Sequence, residues 1–269
     1  MLAAGFALPP TSGNACILVL NEGGMSHLDL WDPKPAAPRE VRSPFAPIST
    51  RGDFQLTELL PRHAAIADQF SIVRSVTSTT VPLHDVAAAL MQPELPGRFA
   101  GNDVSSEPLR IRERYGINSL GERMLSARRL VENGECFVTV KSGLMWDTHG
   151  ARPYSTMDDL RNVIAPSYDR AFSALVADLD ERGLLATTLV ASLTEFGRTP
   201  WLNADGGRDH WAGCWSVCFA GGGVRGGRAI GRSDELGAFP AERPVTPQDL
   251  IATIHHALGI RVEPITELF

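Results

Sequence analysis

Three short segments of this 269-residue chain group side chains that bind metals: Trp146-Asp147-Thr148-His149-Gly150, Thr194-Glu195-Phe196-Gly197-Arg198-Thr199-Pro200 and Gly207-Arg208-Asp209-His210-Trp211. A fourth, Asn21-Glu22-Gly23-Gly24-Met25-Ser26-His27-Leu28-Asp29, follows the first apolar run. Imidazole nitrogen and carboxylate oxygen are natural ligands of zinc, and carboxylates also suit magnesium, calcium or manganese. Taken singly, each Asp could cap a turn and each His could pack in a core. Arg198 carries the planar fork that pairs with phosphate or sulfate oxygens, or that closes a salt bridge across a turn.

Other segments invite chemistry less. Ser26 lies in Gly-x-Ser-x-Leu, so the Gly-x-Ser-x-Gly elbow of α/β-hydrolases is incomplete. The run Gly221 to Gly227 lacks the Lys-Ser/Thr ending of a phosphate-binding loop and opens no helix, so it reads as a glycine turn. Cys16, Cys136, Cys214 and Cys218 are dispersed in apolar runs, which suits buried reduced thiols. His63, His255 and His256 fall in helical patterns without a ligand partner on the same turn, and are expected at the surface. Asp32, beside Pro33, reads as a turn former.

The elements that must position these groups alternate in type. Strand-like runs span Cys16 to Leu20, Ser71 to Val76, Glu135 to Val140, Thr187 to Leu193 and Cys214 to Ala220. A helix is predicted after Pro166, where Ala171, Leu175 and Leu179 recur at helical spacing and Gly183 offers a cap. Others are predicted over Leu120 to Glu132 and from Pro247 to Leu258. Strands alternating with helices imply an α/β fold, a mostly parallel sheet flanked by helices on both faces. Ligands of such sheets bind beyond the carboxyl ends of the strands. Three of the four polar segments follow a strand-like run directly, and Gly207 to Trp211 precedes one instead.

Composition narrows the class. Apolar residues make up 43% and charged residues 21%, which fits one globular domain over 1–269 with no integral membrane segment. The net charge of −6 and the lack of a Lys/Arg stripe argue against a nucleic-acid partner. Met1 to Pro10 is apolar but has no basic flank, so no secretory signal is expected in it.

The order of these blocks, together with Gly23 to Pro35, Val73-Arg74-Ser75-Val76-Thr77 and Ala127 to Glu132, resembles the family called domain of unknown function 1501, grouped with the alkaline phosphatase-like superfamily of sulfatases and phosphoesterases. The resemblance leaves export open. It implies a first metal set of Asp147, His149 and His210, with Glu195 where the acidic-His pair of a second would begin. Glu195 is followed by Phe196 instead of His, so that second set lacks its usual ligand. No Cys-x-Pro-x-Arg occurs, which argues against a formylglycine sulfatase, and the hydroxyl-rich run Ser75 to Thr80 offers no unique nucleophile. The chain looks shortened between Gln92 and Tyr115 and near Arg261.

Asp147 and His149 stand two residues apart, so on an extended segment they point to one side, and His210 must join them through the fold. His84-Asp85, before Val86-Ala87-Ala88-Ala89-Leu90, looks like a helix start near the site, where an imidazole serves as acid, base or ligand. The function expected is a metal-dependent hydrolase of small anionic phosphate or sulfate esters. Zinc is the favoured ion, Arg198 holds the substrate and His84 is a catalytic candidate. Two alternatives stand beside it: a binding domain that kept the fold but lost part of the site, and a metal-independent hydrolase using Ser26 or His84.

Overall fold

A computed structural model describes residues 14–85, 93 and 95–260. Its core is a seven-stranded sheet: β1 (Ala15–Leu20), β2 (Phe70–Val76), β3 (Arg98–Phe99), β4 (Phe137–Lys141), β5 (Thr188–Leu193), β6 (Trp215–Ala220) and β7 (Arg228–Ile230). The order across the sheet is β7-β2-β6-β5-β1-β4-β3. β1 pairs parallel to both β4 and β5, β3 pairs parallel to β4, and β7 pairs parallel to β2. β6 alone runs the other way, antiparallel to β5 and β2. The expected strands are all present, within two residues at each end.

Every residue of β1 is buried, as a central strand covered on both faces requires. Ile17 and Val19 face the core formed with α1 (Ser119–Glu132) and α2 (Ala165–Glu181), through Met124, Phe172 and Leu175. Cys16, Leu18 and Leu20 face α3 (Pro247–Ala257), through Leu250 and Ile254. Helices thus cover both faces. Asn118 caps α1 by accepting the Gly121 N–H, and Thr246 with Asp249 forms a capping box on α3. After α2, Gly183 takes φ +71°, the left-handed conformation that ends helices. Among the described residues no helix is long and apolar enough to cross a membrane.

Several side chains fall where the sequence reading did not put them. His63 and His255 are buried, and only His256 is exposed. Helical spacing located their helices but not the elements that cover them. His63 stacks on Phe172 with ring centroids 4.7 Å apart, and its Nδ1 meets Asp169 Oδ1 at 2.7 Å. Asp169 also accepts the backbone N–H groups of Arg62 (2.9 Å) and His63 (2.8 Å), so a carboxylate of α2 caps the short helix Pro61–Ala65. Replacing Asp169 with Ala leaves the buried His63 N–H and Nδ1 unpaired, at about 1–3 kcal/mol for each. The expected result is a fall in the denaturant midpoint with unchanged slope, read by fluorescence in urea.

Asp32 is more than a turn former. It is buried and pairs with Lys34 (3.2 Å), Arg74 (3.4 Å) and the Ser233 hydroxyl. Cys16, Cys214 and Cys218 are buried free thiols and Cys136 is half-buried; burial pushes the Cys214 thiol up to about 12. The glycine run forms the turn between β6 and β7, with Gly221, Gly222 and Gly223 at positive φ. Met1 to Pro10, Gln92 and Arg261 lie outside the described residues, whereas Tyr115 ends a described helix, Leu109–Tyr115.

Candidate metal centre

The centre assembles at the carboxyl edge of the sheet. Asp147 and His149 lie on the loop after β4, Glu195 follows β5, and His84 ends the loop that leaves β2. His210 comes from the other chain direction. Because β6 is antiparallel, its first residue Trp215 pairs with Val76, the last residue of β2, so the segment leading into β6 arrives at the same edge. A two-stranded ribbon, Gly197–Arg198 against His210–Trp211, sets His210 opposite Arg198.

Asp147 is the hub. Its Oδ1 lies 3.0 Å from His149 Nε2 and 3.0 Å from His210 Nε2, and it accepts from the Arg198 guanidinium. Its Oδ2 lies 3.6 Å from His84 Nε2. Burial alone would raise the Asp147 carboxyl, but the hydrogen bonds from His210 and Arg198 hold it well below the usual range.

Each imidazole is anchored through its outer nitrogen. His84 Nδ1 meets Glu195 Oε1 at 2.8 Å, His149 Nδ1 meets Asp209 Oδ1 at 2.8 Å, and His210 Nδ1 meets the Pro82 carbonyl at 2.8 Å. A carbonyl or carboxylate oxygen can only accept, so each Nδ1 donates outward to it, and Nε2 is the ring nitrogen that faces Asp147. Three imidazole nitrogens gathered on one carboxylate are a donor set of the kind that a cation satisfies. His84, Asp147 and His210 offer ligand atoms all within 4.8 Å of one another. These three residues fit a divalent ion; His149 is outside that group, although its Nε2 reaches Asp147 Oδ1. The pattern of imidazoles backed by acceptors on their far nitrogens is that of metal-ligating histidines.

Two expected roles change. Glu195, foreseen as a ligand, spends Oε1 on the Gly23 N–H (2.7 Å) and on His84, and Oε2 on the Thr194 hydroxyl (3.2 Å). Its carboxylate is turned to orienting His84. Arg198, foreseen on the substrate, is fully buried, with its donors on protein oxygens. Ser26 caps the helix His27–Leu30 and donates to Asp29 at 2.5 Å, a structural position. His84 and Asp85 do begin a helical turn, and residues 86–90 lie outside the described ones.

Sequence reasoning missed Asp209, the Pro82 carbonyl and Phe196. Asp209 was visible beside His210, yet nothing local linked it to His149 sixty residues earlier. Phe196, in place of the expected His, packs on the rings of His84 (5.1 Å) and His210 (4.6 Å). Beside the centre opens a cleft of about 380 Å³, lined by Glu22, Gly23, His84, Gly143, Met145 and Asp147 among others, with no Lys or Arg. A larger hollow of about 580 Å³, around Arg62, Arg161 and Arg170, holds none of the centre's residues. Among the described residues the hydroxyls of Thr77, Ser78, Thr79 and Thr80 make no hydrogen bond to the centre.

The fold resembles that of solved structures at low sequence identity. A Bacteroides thetaiotaomicron protein, described with the metabolism of multiple glycosaminoglycans, aligns at 12% identity and a TM-score of 0.50, covering 92% of this chain and 73% of its own. A phosphonate monoester hydrolase from Silicibacter pomeroyi aligns at 10% and 0.49, covering 91% and 73%. A sulfatase from Pseudoalteromonas sp. aligns at 12% and 0.44, covering 92% and 68%. No curated protein matches the sequence. A family model does, over residues 13–98 and 91–268, and the chain belongs to that family, described as Protein of unknown function (DUF1501).

Proposed function

We propose that this chain is a metal-dependent hydrolase of phosphate or sulfate esters, with a divalent ion held by Asp147, His149, His210 and His84. The observation that carries the reading is the convergence of three anchored imidazoles on one carboxylate beside an open cleft. Nitrogen-rich donors favour zinc over magnesium or calcium, which prefer oxygen. Once bound, such an ion supplies Lewis acidity toward an ester oxygen and lowers the pKa of water. The protein's own groups do the positioning. Glu195, Asp209 and the Pro82 carbonyl fix the tautomer of each imidazole, and Phe196 wedges two of the rings in place. Among the described residues the cleft walls carry no Lys or Arg, so the ester's negative charge falls to the ion.

Purified protein is expected to contain zinc in stoichiometric amount, lose it to a chelator, and hydrolyse a nitrophenyl phosphate, diester or sulfate only in the loaded form. Absence of both metal and turnover would sink the reading. A second reading, a binding domain that kept the fold without catalysis, is favoured by the lack of contact between the hydroxyl run and the centre. Stoichiometric zinc with no turnover across the panel would select it.

A further inference from the structure

We propose that Arg198 is a positioning residue that fixes the Asp147 carboxylate for the ion. The proposal rests on the metal-site reading above. The guanidinium is fully buried, and each nitrogen has a defined acceptor within the protein. Nε donates to the Gly24 carbonyl at 2.8 Å, one terminal nitrogen to the Arg208 carbonyl at 3.1 Å, and the other to the Gly23 carbonyl and Asp147 Oδ1. One side chain thereby ties the loop after β1 (Gly23 and Gly24), the loop after β4 (Asp147) and the strand that carries His210 (Arg208 precedes it by two residues).

An anchor for a substrate anion needs free donors facing the cleft, and Arg198 has neither exposure nor a place among the cleft walls. What it does reach is the Asp147 oxygen that His149 and His210 also approach. Holding Oδ1 blocks rotation of the carboxylate, so the hub keeps one orientation toward all three imidazoles. Only a planar fork with five N–H groups can span two carbonyls of one loop, a third carbonyl and a carboxylate; an ammonium cannot.

The surrounding backbone is shaped to this contact. Gly23 has φ +117°, and a Cβ there would lie 2.8 Å from the Asp147 nitrogen. Gly24 has φ +76°, and a Cβ there would lie 2.6 Å from the Phe196 ring and 3.2 Å from Arg198 Nε. The glycine pair lets the loop close onto Asp147 and Arg198 together. The same Gly23 donates its N–H to Glu195, which orients His84, so this loop also reaches the fourth ligand.

The test is the R198K variant, which keeps the charge and loses the fork. Zinc alone, titrated by calorimetry, should bind about 10–100-fold more weakly than to the wild type, as expected for loss of a group that orients a ligand. Inorganic sulfate should bind the zinc-saturated variant as it binds the zinc-saturated wild type. A substrate anchor would show the reverse, weak sulfate and unchanged zinc, and that result overturns the proposal. Should R198K fail to fold, NMR of the wild type decides. The Arg198 Nε–H resonance should shift when zinc is added and stay in place when sulfate is added to the loaded protein; a shift only with sulfate overturns the assignment. Equal zinc affinity in wild type and R198K removes the positioning role alone, whereas a wild type that binds no zinc removes the metal site itself.

Discussion

Replacing His149 or His210 with Ala is expected to weaken zinc binding on the order of 10²–10³-fold and leave the fold intact. Both rings place Nε2 at 3.0 Å from the same Asp147 oxygen, so each is one of the few groups that can hold the ion. Complete zinc sites of four ligands bind with about 10–16 kcal/mol, or roughly 3–4 kcal/mol per ligand. One lost ligand thus weakens binding on the order of 10²–10³-fold. The fold should survive because both side chains are partly exposed, at 23% and 21%, on segments beyond the strands. Their removal leaves Asp209 and the Pro82 carbonyl within reach of water. Metal analysis of purified variants, paired with thermal melts, checks both halves. Full zinc content in the two variants would show that the ion, if present, sits elsewhere.

A second large effect belongs to the pair Asp29 and Arg208, both fully buried. Arg208 meets Asp29 through Nε at 2.8 Å and a terminal nitrogen at 3.2 Å, and spends its other donors on the carbonyls of Thr199, Pro200 and Val41. Asp29 also accepts the Ser26 hydroxyl. Replacing Asp29 with Ala strands a buried guanidinium, which costs about 3–5 kcal/mol. The urea midpoint should fall accordingly.

The same pair predicts a pH dependence. Burial would raise the Asp29 carboxyl, but the charge and hydrogen bonds of Arg208, with those of Ser26, outweigh it and hold the carboxyl below its ordinary value. A carboxyl depressed in the folded state stabilises the protein fully above its unfolded value, near ~3.9. That contribution is lost as pH falls from there toward the folded value. Wild-type stability should therefore drop below about pH 4, and the Asp29→Ala variant should show a shallower drop over the same window. Identical acid slopes in the two proteins would remove Asp29 as a contributor.

What the amino-acid sequence determined alone was the five longer strands of the sheet, its three long helices and the residue types that meet at the centre. Short apolar runs, helical spacing and caps such as Gly183 are local, so β1, β5, α2 and α3 were legible to within two residues. The pairing of Asp147 with His149 was legible too, because two residues of one loop share a neighbourhood whatever the rest of the chain does. The tertiary structure decided which distant groups join them. His210 is 63 residues from Asp147 and reaches it because β6 runs antiparallel, a strand direction that hydrophobic periodicity does not encode. The same holds for the acceptors behind each ring: Asp209 for His149, Glu195 for His84, and the Pro82 carbonyl for His210. Burial was equally hidden. A polar side chain has the same sequence signature whether it faces water or sits in a shell of carbonyls, so Arg198 read as a substrate contact and His63 as a surface group. Only the glycine loop closing over Arg198, and α2 packing onto His63, turned them inward.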